Sequence, residues 1–96
     1  MADQTKRLHA TIHGKVQAVR FRYFTQQAAK QLGLTGWVRN RFNRTVEMVA
    51  EGEEGKLQDL LDFVKRGPPS ANVTLVDHTW GTGTGEFKKF KIRMTR

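Results

Sequence analysis

Between Leu8 and Leu32 the apolar period of the chain changes from two to three-and-four across one short loop, and that switch limits the folds open to it. Leu8, Ala10 and Ile12 alternate with His9, Thr11 and His13, the pattern of a strand with one buried face. Beyond Gly14-Lys15-Val16-Gln17-Ala18-Val19-Arg20, the residues Phe21, Phe24, Ala28 and Leu32 recur at helical spacing. Gln26, Gln27, Lys30 and Gln31 take the wet side, and Gly33 stops the helix. A strand that feeds a helix through a tight loop leaves the first helical N–H groups without intrahelical acceptors. Together with the helix dipole, those groups attract an anion. Arg22, just inside the helix, adds a planar and permanently charged fork suited to phosphate oxygens. The dipole disfavours a cation in a first turn, so this placement points to a bound anion.

Further along, Leu34 to Asn40 and Thr45 to Ala50 read as two strands joined by Arg41-Phe42-Asn43-Arg44, an antiparallel hairpin. A second helix follows, with Leu57, Leu60, Leu61 and Val64 on one face. Glu53 and Glu54 open it, and Lys65-Arg66-Gly67-Pro68 closes it, so its charges complement its dipole. Val73 to Trp80 reads as a fourth strand. Phe90, Ile92 and Met94, alternating with Lys89, Lys91 and Arg93, read as a fifth that begins near Phe87. This order predicts an α+β fold, the ferredoxin-like split βαβ sandwich (βαββαβ), with an antiparallel sheet and two helices on one face. No linker or repeat divides the chain, so residues 1–96 are expected to form a single domain.

Composition excludes several chemistries. Without cysteine there is no disulfide, thiolate nucleophile or zinc-thiolate site, and three scattered histidines, His9, His13 and His78, make a poor metal set. No metal or cofactor is expected. No run approaches the roughly 18 apolar residues of a spanning helix, and the first residues lack a signal-peptide core, so no membrane partner and a cytoplasmic location are expected. The net charge of +8 favours anionic partners, but the cations are dispersed, and Arg22 alone is singled out by context. His9 and His13 fall on the outward parity of their strand and are not expected in the site. The Gly81-Thr82-Gly83-Thr84-Gly85 run is followed by Glu86 and an extended segment, so it is not a nucleotide loop, and Gly14-Lys15 lacks the spacing of a Walker loop.

The segment Gly14-Lys15-Val16-Gln17-Ala18-Val19-Arg20-Phe21-Arg22 resembles the acylphosphatase signature Gly-x-Val-Gln-Gly-Val-x-Phe-Arg. Gly36-Trp37-Val38-Arg39-Asn40 is similar to that family's second motif. Ala50-Glu51-Gly52, Gly67-Pro68-Pro69 and Gly85-Glu86-Phe87 fall where bacterial-type members carry similar residues. The resemblance implies metal-independent hydrolysis of a small acyl phosphate to a carboxylate and inorganic phosphate. It implies that Arg22 binds the phosphate and that Asn40 holds the attacking water. The loop residues Val16, Gln17, Ala18, Val19, Arg20 and Phe21 would bind the phosphate through their amides. On its own, Asn40 reads as a strand-end turn residue. Phosphoryl transfer from a good leaving group depends on charge stabilisation and alignment, which an arginine, a ring of amides and one carboxamide can supply. Trp37, Phe21 and Val19 are assigned to packing.

Two departures stand out. Ala18 occupies the signature's second glycine, where either a positive φ or a close backbone approach is at stake, and Asn43-Arg44 replaces the Asp-Gly common at the hairpin. Ala18 keeps open a non-catalytic phosphate or carbamoyl-phosphate binding module. That the chain ends at Arg96 without a partner domain points instead to a stand-alone enzyme, and a monomer is expected. A basic RRM-like nucleic-acid module shares the element order, but Thr45 to Ala50 offers no aromatic for base stacking, so nucleic acid is not the expected partner.

Overall fold

The computed structural model describes residues 5–18 and 20–96. Its elements run β1 (Lys6–Lys15), α1 (Phe21–Gln31), β2 (Thr35–Asn40), β3 (Val46–Gly52), α2 (Glu54–Arg66), β4 (Asn72–Thr82) and β5 (Phe90–Ile92). The sheet order is β4-β1-β3-β2-β5. Pairing sets one parity of every strand on a common face: Leu8, Ala10 and Ile12 lie opposite Ala50, Met48 and Val46, and Val38 lies opposite Met48. These side chains join Leu57, Leu60, Leu61 and Val64 of α2 and Phe21 and Ala29 of α1 in one core, so both helices cover the same face. Each buried leucine of α2 is expected to contribute about 2–5 kcal/mol against alanine.

Four strands are antiparallel neighbours, as the order predicts, but β5 runs parallel to β2, so the sheet is mixed. The chain leaves β4 at one edge of the sheet and crosses its end to reach the other. Glu51 holds that crossing: its carboxylate, 4% exposed, accepts from the N–H groups of Thr84 and Gly85 at 3.0 Å and from Arg7 at 2.9 Å. The crossing delays β5, which begins at Phe90 rather than near Phe87, and only Phe90 of the expected inward series is buried; Ile92 and Met94 are exposed.

In α1 the buried stripe is Phe21, Thr25 and Ala29, while Ala28 and Leu32 pack at its margin. Phe24, expected inside, is 37% exposed, because its ring meets Tyr23 edge to face and lies under Arg20.

The face without helices carries charges in pairs. Glu47 bonds His9 at 2.7 Å, Arg39 at 2.9 Å and Arg41 at 3.1 Å, and His13 meets Asp77 at 3.1 Å. Trp37 lies among them, 8% exposed, with the guanidiniums of Arg39 and Arg93 within 4.7 and 5.0 Å of its ring centre.

Candidate active site

The end of β1 is shaped by Gly14. The β1–β4 register shifts between His13 and Gly14, and at φ 121° a Cβ there would collide with the Asn72 carbonyl. Glycine alone lets the strand turn this close to its neighbour. Val16, 1% exposed, then anchors the loop in the core. Gln17 turns away and donates from Nε2 to the carbonyl oxygens of Arg41 and Thr45, both at 2.8 Å.

Ala18 follows at φ 61°, and Arg20 closes the loop at φ 60°, ψ 26°. Ala18 thus takes the left-handed conformation that glycine adopts freely, and it also lines the cavity described below. Left-handed residues beside right-handed ones turn successive N–H groups toward one concavity, a geometry that binds anions. Val19 lies outside the described residues.

The start of α1 is unusually open. Its first helical bond runs from Phe24 N to Arg20 O at 3.1 Å, so the N–H groups of Phe21, Arg22 and Tyr23 lack intrahelical acceptors. Among the described residues no side chain caps them, and no acidic residue lies in the first turn. Arg22 stands in that turn and, among the described residues, forms no ion pair, so its charge is uncompensated beside a dipole of the same sign.

Asn40 arrives from the end of β2. Its parity is that of Val38, toward the helices, while its neighbours Arg39 and Arg41 are both drawn to Glu47 on the opposite face. Gly36 sets the start of this strand: at φ 140° a Cβ would collide with the Val49 carbonyl. The Asn40 Oδ1 atom is buried and has no hydrogen-bond partner among the described residues.

A cavity of about 350 Å³ brings these pieces together, lined by Val16, Ala18, Arg20, Phe21, Arg22 and Asn40 of the sequence assignment. Gln17 is not among its walls; its side chain serves the hairpin. Two further wall residues, Tyr23 and Ile92, are 42% and 40% exposed and were not anticipated. Helical and strand periodicity placed both on their elements, but only the pairing of β5 beside β2 brings Ile92 next to the Asn40 end of that strand.

The hairpin departs from Asp-Gly without losing its turn. Arg44 takes φ 73°, its N–H donates to the Arg41 carbonyl at 3.1 Å, and Asn43 Oδ1 accepts from Thr45 Oγ1 at 2.6 Å. An arginine thus occupies a position suited to glycine, held by the Asn43 side chain.

Two carboxylates near the sheet are shifted. Burial raises the pKa of Glu47, but bonds from His9 and Arg39 outweigh it, and the net shift is downward. For Glu51 burial again raises the value, and the Thr84 and Gly85 amides with Arg7 bring it below the ordinary range. Among the described residues, no group of three or more His, Cys, Asp or Glu is placed to hold a metal ion, and no helix is long and apolar enough to cross a membrane.

The acylphosphatase family model matches residues 8–92. An acylphosphatase of Pelotomaculum thermopropionicum is 46% identical over 90% of this chain and 94% of its own length. The crystal structure of acylphosphatase from Bacillus subtilis superposes with a TM-score of 0.88 at 38% identity, covering 92% of this chain and 98% of that one. A full-length HypF, solved in its phosphate- and nucleotide-bound form, superposes at 0.88 with 28% identity, covering 99% of this chain and 13% of that longer chain.

Proposed function

The chain belongs to the acylphosphatase family, and from that premise we propose that its hydrolysis of acyl phosphates runs through Arg22, the loop amides and Asn40. The phosphate sits in the cavity against the N–H groups of the loop and of Phe21, Arg22 and Tyr23, and the Arg22 guanidinium takes two of its oxygens. Asn40 holds a water through its Oδ1, which has no partner among the described residues. The water oxygen bonds to phosphorus as the phosphorus–oxygen bond to the acyl group breaks. The electron pair leaves with the carboxylate, and the water proton passes to a phosphate oxygen. A carboxylate departs readily, so the protein's task is charge stabilisation and alignment.

The observation that carries this reading is the meeting of Arg22 and Asn40, from different elements, in one cavity with an uncapped helix start. A crystal soaked in phosphate tests it. The anion is expected within hydrogen-bond reach of Arg22 and the loop amides, with Asn40 facing it, and an anion bound elsewhere alone would contradict it.

The second reading, a phosphate or carbamoyl-phosphate binding module without turnover, draws on Ala18 in a left-handed position and on the likeness to a segment of HypF. Absence of turnover despite phosphate binding would favour it. The proposal also takes residues 1–96 as one working unit and the chain as a monomer. Small acyl phosphates, not nucleic acid, are its partners: the open sheet face keeps Trp37 covered by arginines rather than free for base stacking. A cytoplasmic location completes the proposal and accords with a chain that has no cysteine to oxidise.

A further inference from the structure

Arg20 also lines the cavity, and the phosphate does not explain where its guanidinium lies. Arg20 lies 4.7 Å above the centre of the Tyr23 ring and 5.8 Å from that of Phe24. Those two rings meet edge to face with centroids 5.5 Å apart. An exposed arginine is thus held against two electron-rich faces instead of sweeping solvent. Its backbone is left-handed at φ 60°, a conformation that glycine adopts freely and arginine only at a cost. Arg20 and Tyr23 line the same cavity as Arg22, with Ile92 as a further apolar wall.

In the proposed reaction Arg22 and the amides meet the phosphoryl oxygens, but negative charge also develops on the leaving group. As the bond to phosphorus breaks, negative charge grows on the departing carboxylate oxygen, and a fixed cation beside that oxygen stabilises the transition state more than the ground state. We propose that Arg20 is the leaving-group residue: its guanidinium donates to the departing carboxylate, and Tyr23 with Ile92 forms the wall along which the acyl group lies. This rests on the acylphosphatase reading. The step needs only water and the acyl phosphate, and its products are the carboxylate and inorganic phosphate. The Tyr23 ring and the Ile92 side chain offer a largely apolar surface, so the favoured acyl groups are aromatic or branched aliphatic rather than charged.

The test compares Arg20→Gly and Arg20→Lys with the wild-type chain on 4-methoxybenzoyl phosphate and 4-nitrobenzoyl phosphate. These substrates share a ring and differ in the basicity of the leaving carboxylate. Glycine fits the left-handed position, so the Arg20→Gly variant is expected to be at least as stable as the wild type. It should hydrolyse the methoxy substrate about tenfold more slowly and the nitro substrate about threefold more slowly. The inhibition constant of inorganic phosphate should stay within about twofold, and lysine should recover part of the loss, as a single charge-assisted donor would. Equal slowing of both substrates, no slowing, or a phosphate inhibition constant that rises in step with the lost rate would each overturn the assignment to Arg20. A wild-type chain without turnover on either substrate would overturn the acylphosphatase reading and this assignment with it.

Discussion

Gln17 and Arg41 are joined by a 2.8 Å bond from the Gln17 Nε2 to the Arg41 carbonyl, and the same nitrogen reaches the Thr45 carbonyl at 2.8 Å. Those two carbonyls belong to the hairpin that begins just after Asn40, and Arg41 N donates to the Thr45 carbonyl at 2.8 Å. One side chain therefore ties the β1–α1 loop to the segment that follows Asn40.

Cutting that tie should separate the two halves of the site. Gln17→Ala is expected to lose about 1–3 kcal/mol of stability, the usual cost of leaving partners unpaired in a half-buried place. It should also lower kcat/KM on benzoyl phosphate by about tenfold through misalignment. Steady-state kinetics beside urea denaturation checks both; a stable variant with unchanged kcat/KM would mean that the loop and Asn40 hold their places without Gln17.

Ala18 and Arg44 offer a paired experiment on backbone strain, since they lie at φ 61° and φ 73°. Glycine relieves about 1–2 kcal/mol at such a position, and its freedom in the unfolded chain returns part of that, so each substitution should gain roughly 0.5–1 kcal/mol. The functional effects should differ. Ala18 lines the cavity, so Ala18→Gly is expected to raise phosphate affinity or kcat/KM, whereas Arg44→Gly should leave hydrolysis unaltered. If Ala18→Gly leaves both affinity and kcat/KM unchanged or lower, the alanine is no handicap.

Acid should weaken the fold through Glu51 and Glu47. Both carboxyls are held below the ordinary glutamate value of 4.5 in the folded chain. Each therefore contributes stability that is fully present above that pH and is lost as pH falls through the lower folded value. Urea midpoints measured from pH 7 down to pH 3 should fall most below about pH 4.5. Glu51→Gln should be less stable at pH 7, because it removes the charge that Arg7 meets and replaces one of the two acceptor oxygens shared by Thr84, Gly85 and Arg7 with a donor. With no carboxyl left to protonate there, it should also show a shallower acid decline. An unchanged slope in that variant would remove Glu51 from the acid response.

Much of this architecture could be read from periodicity. Leu8-Ala10-Ile12 alternates because β1 buries one face, and Leu57-Leu60-Leu61-Val64 recurs because α2 packs on it. Arg22 was legible because a cation in a helix's first turn needs a reason, and Asn40 because its motif resembles a known one. What escaped depends on long-range contact or on φ. Nothing local in Gln17 says that it will reach Arg41 and Thr45, and nothing in Arg20 says that it will be left-handed and lie over Tyr23. Phe24 misled because a surface aromatic pair satisfies the same helical spacing as a core position. The parallel β5 follows from a crossing fixed by Glu51, a residue whose carboxylate suggests solvent in the sequence and is nearly buried in the fold.

The central claim is that Arg22 binds the phosphoryl group during turnover, and hydrolysis of benzoyl phosphate in the presence of a metal chelator tests it most directly. The wild-type chain should turn over with inorganic phosphate as a competitive inhibitor, and Arg22→Ala, shown to be folded, should lose at least about a hundredfold in kcat/KM. No turnover by the folded wild type, or full turnover by Arg22→Ala, would contradict it.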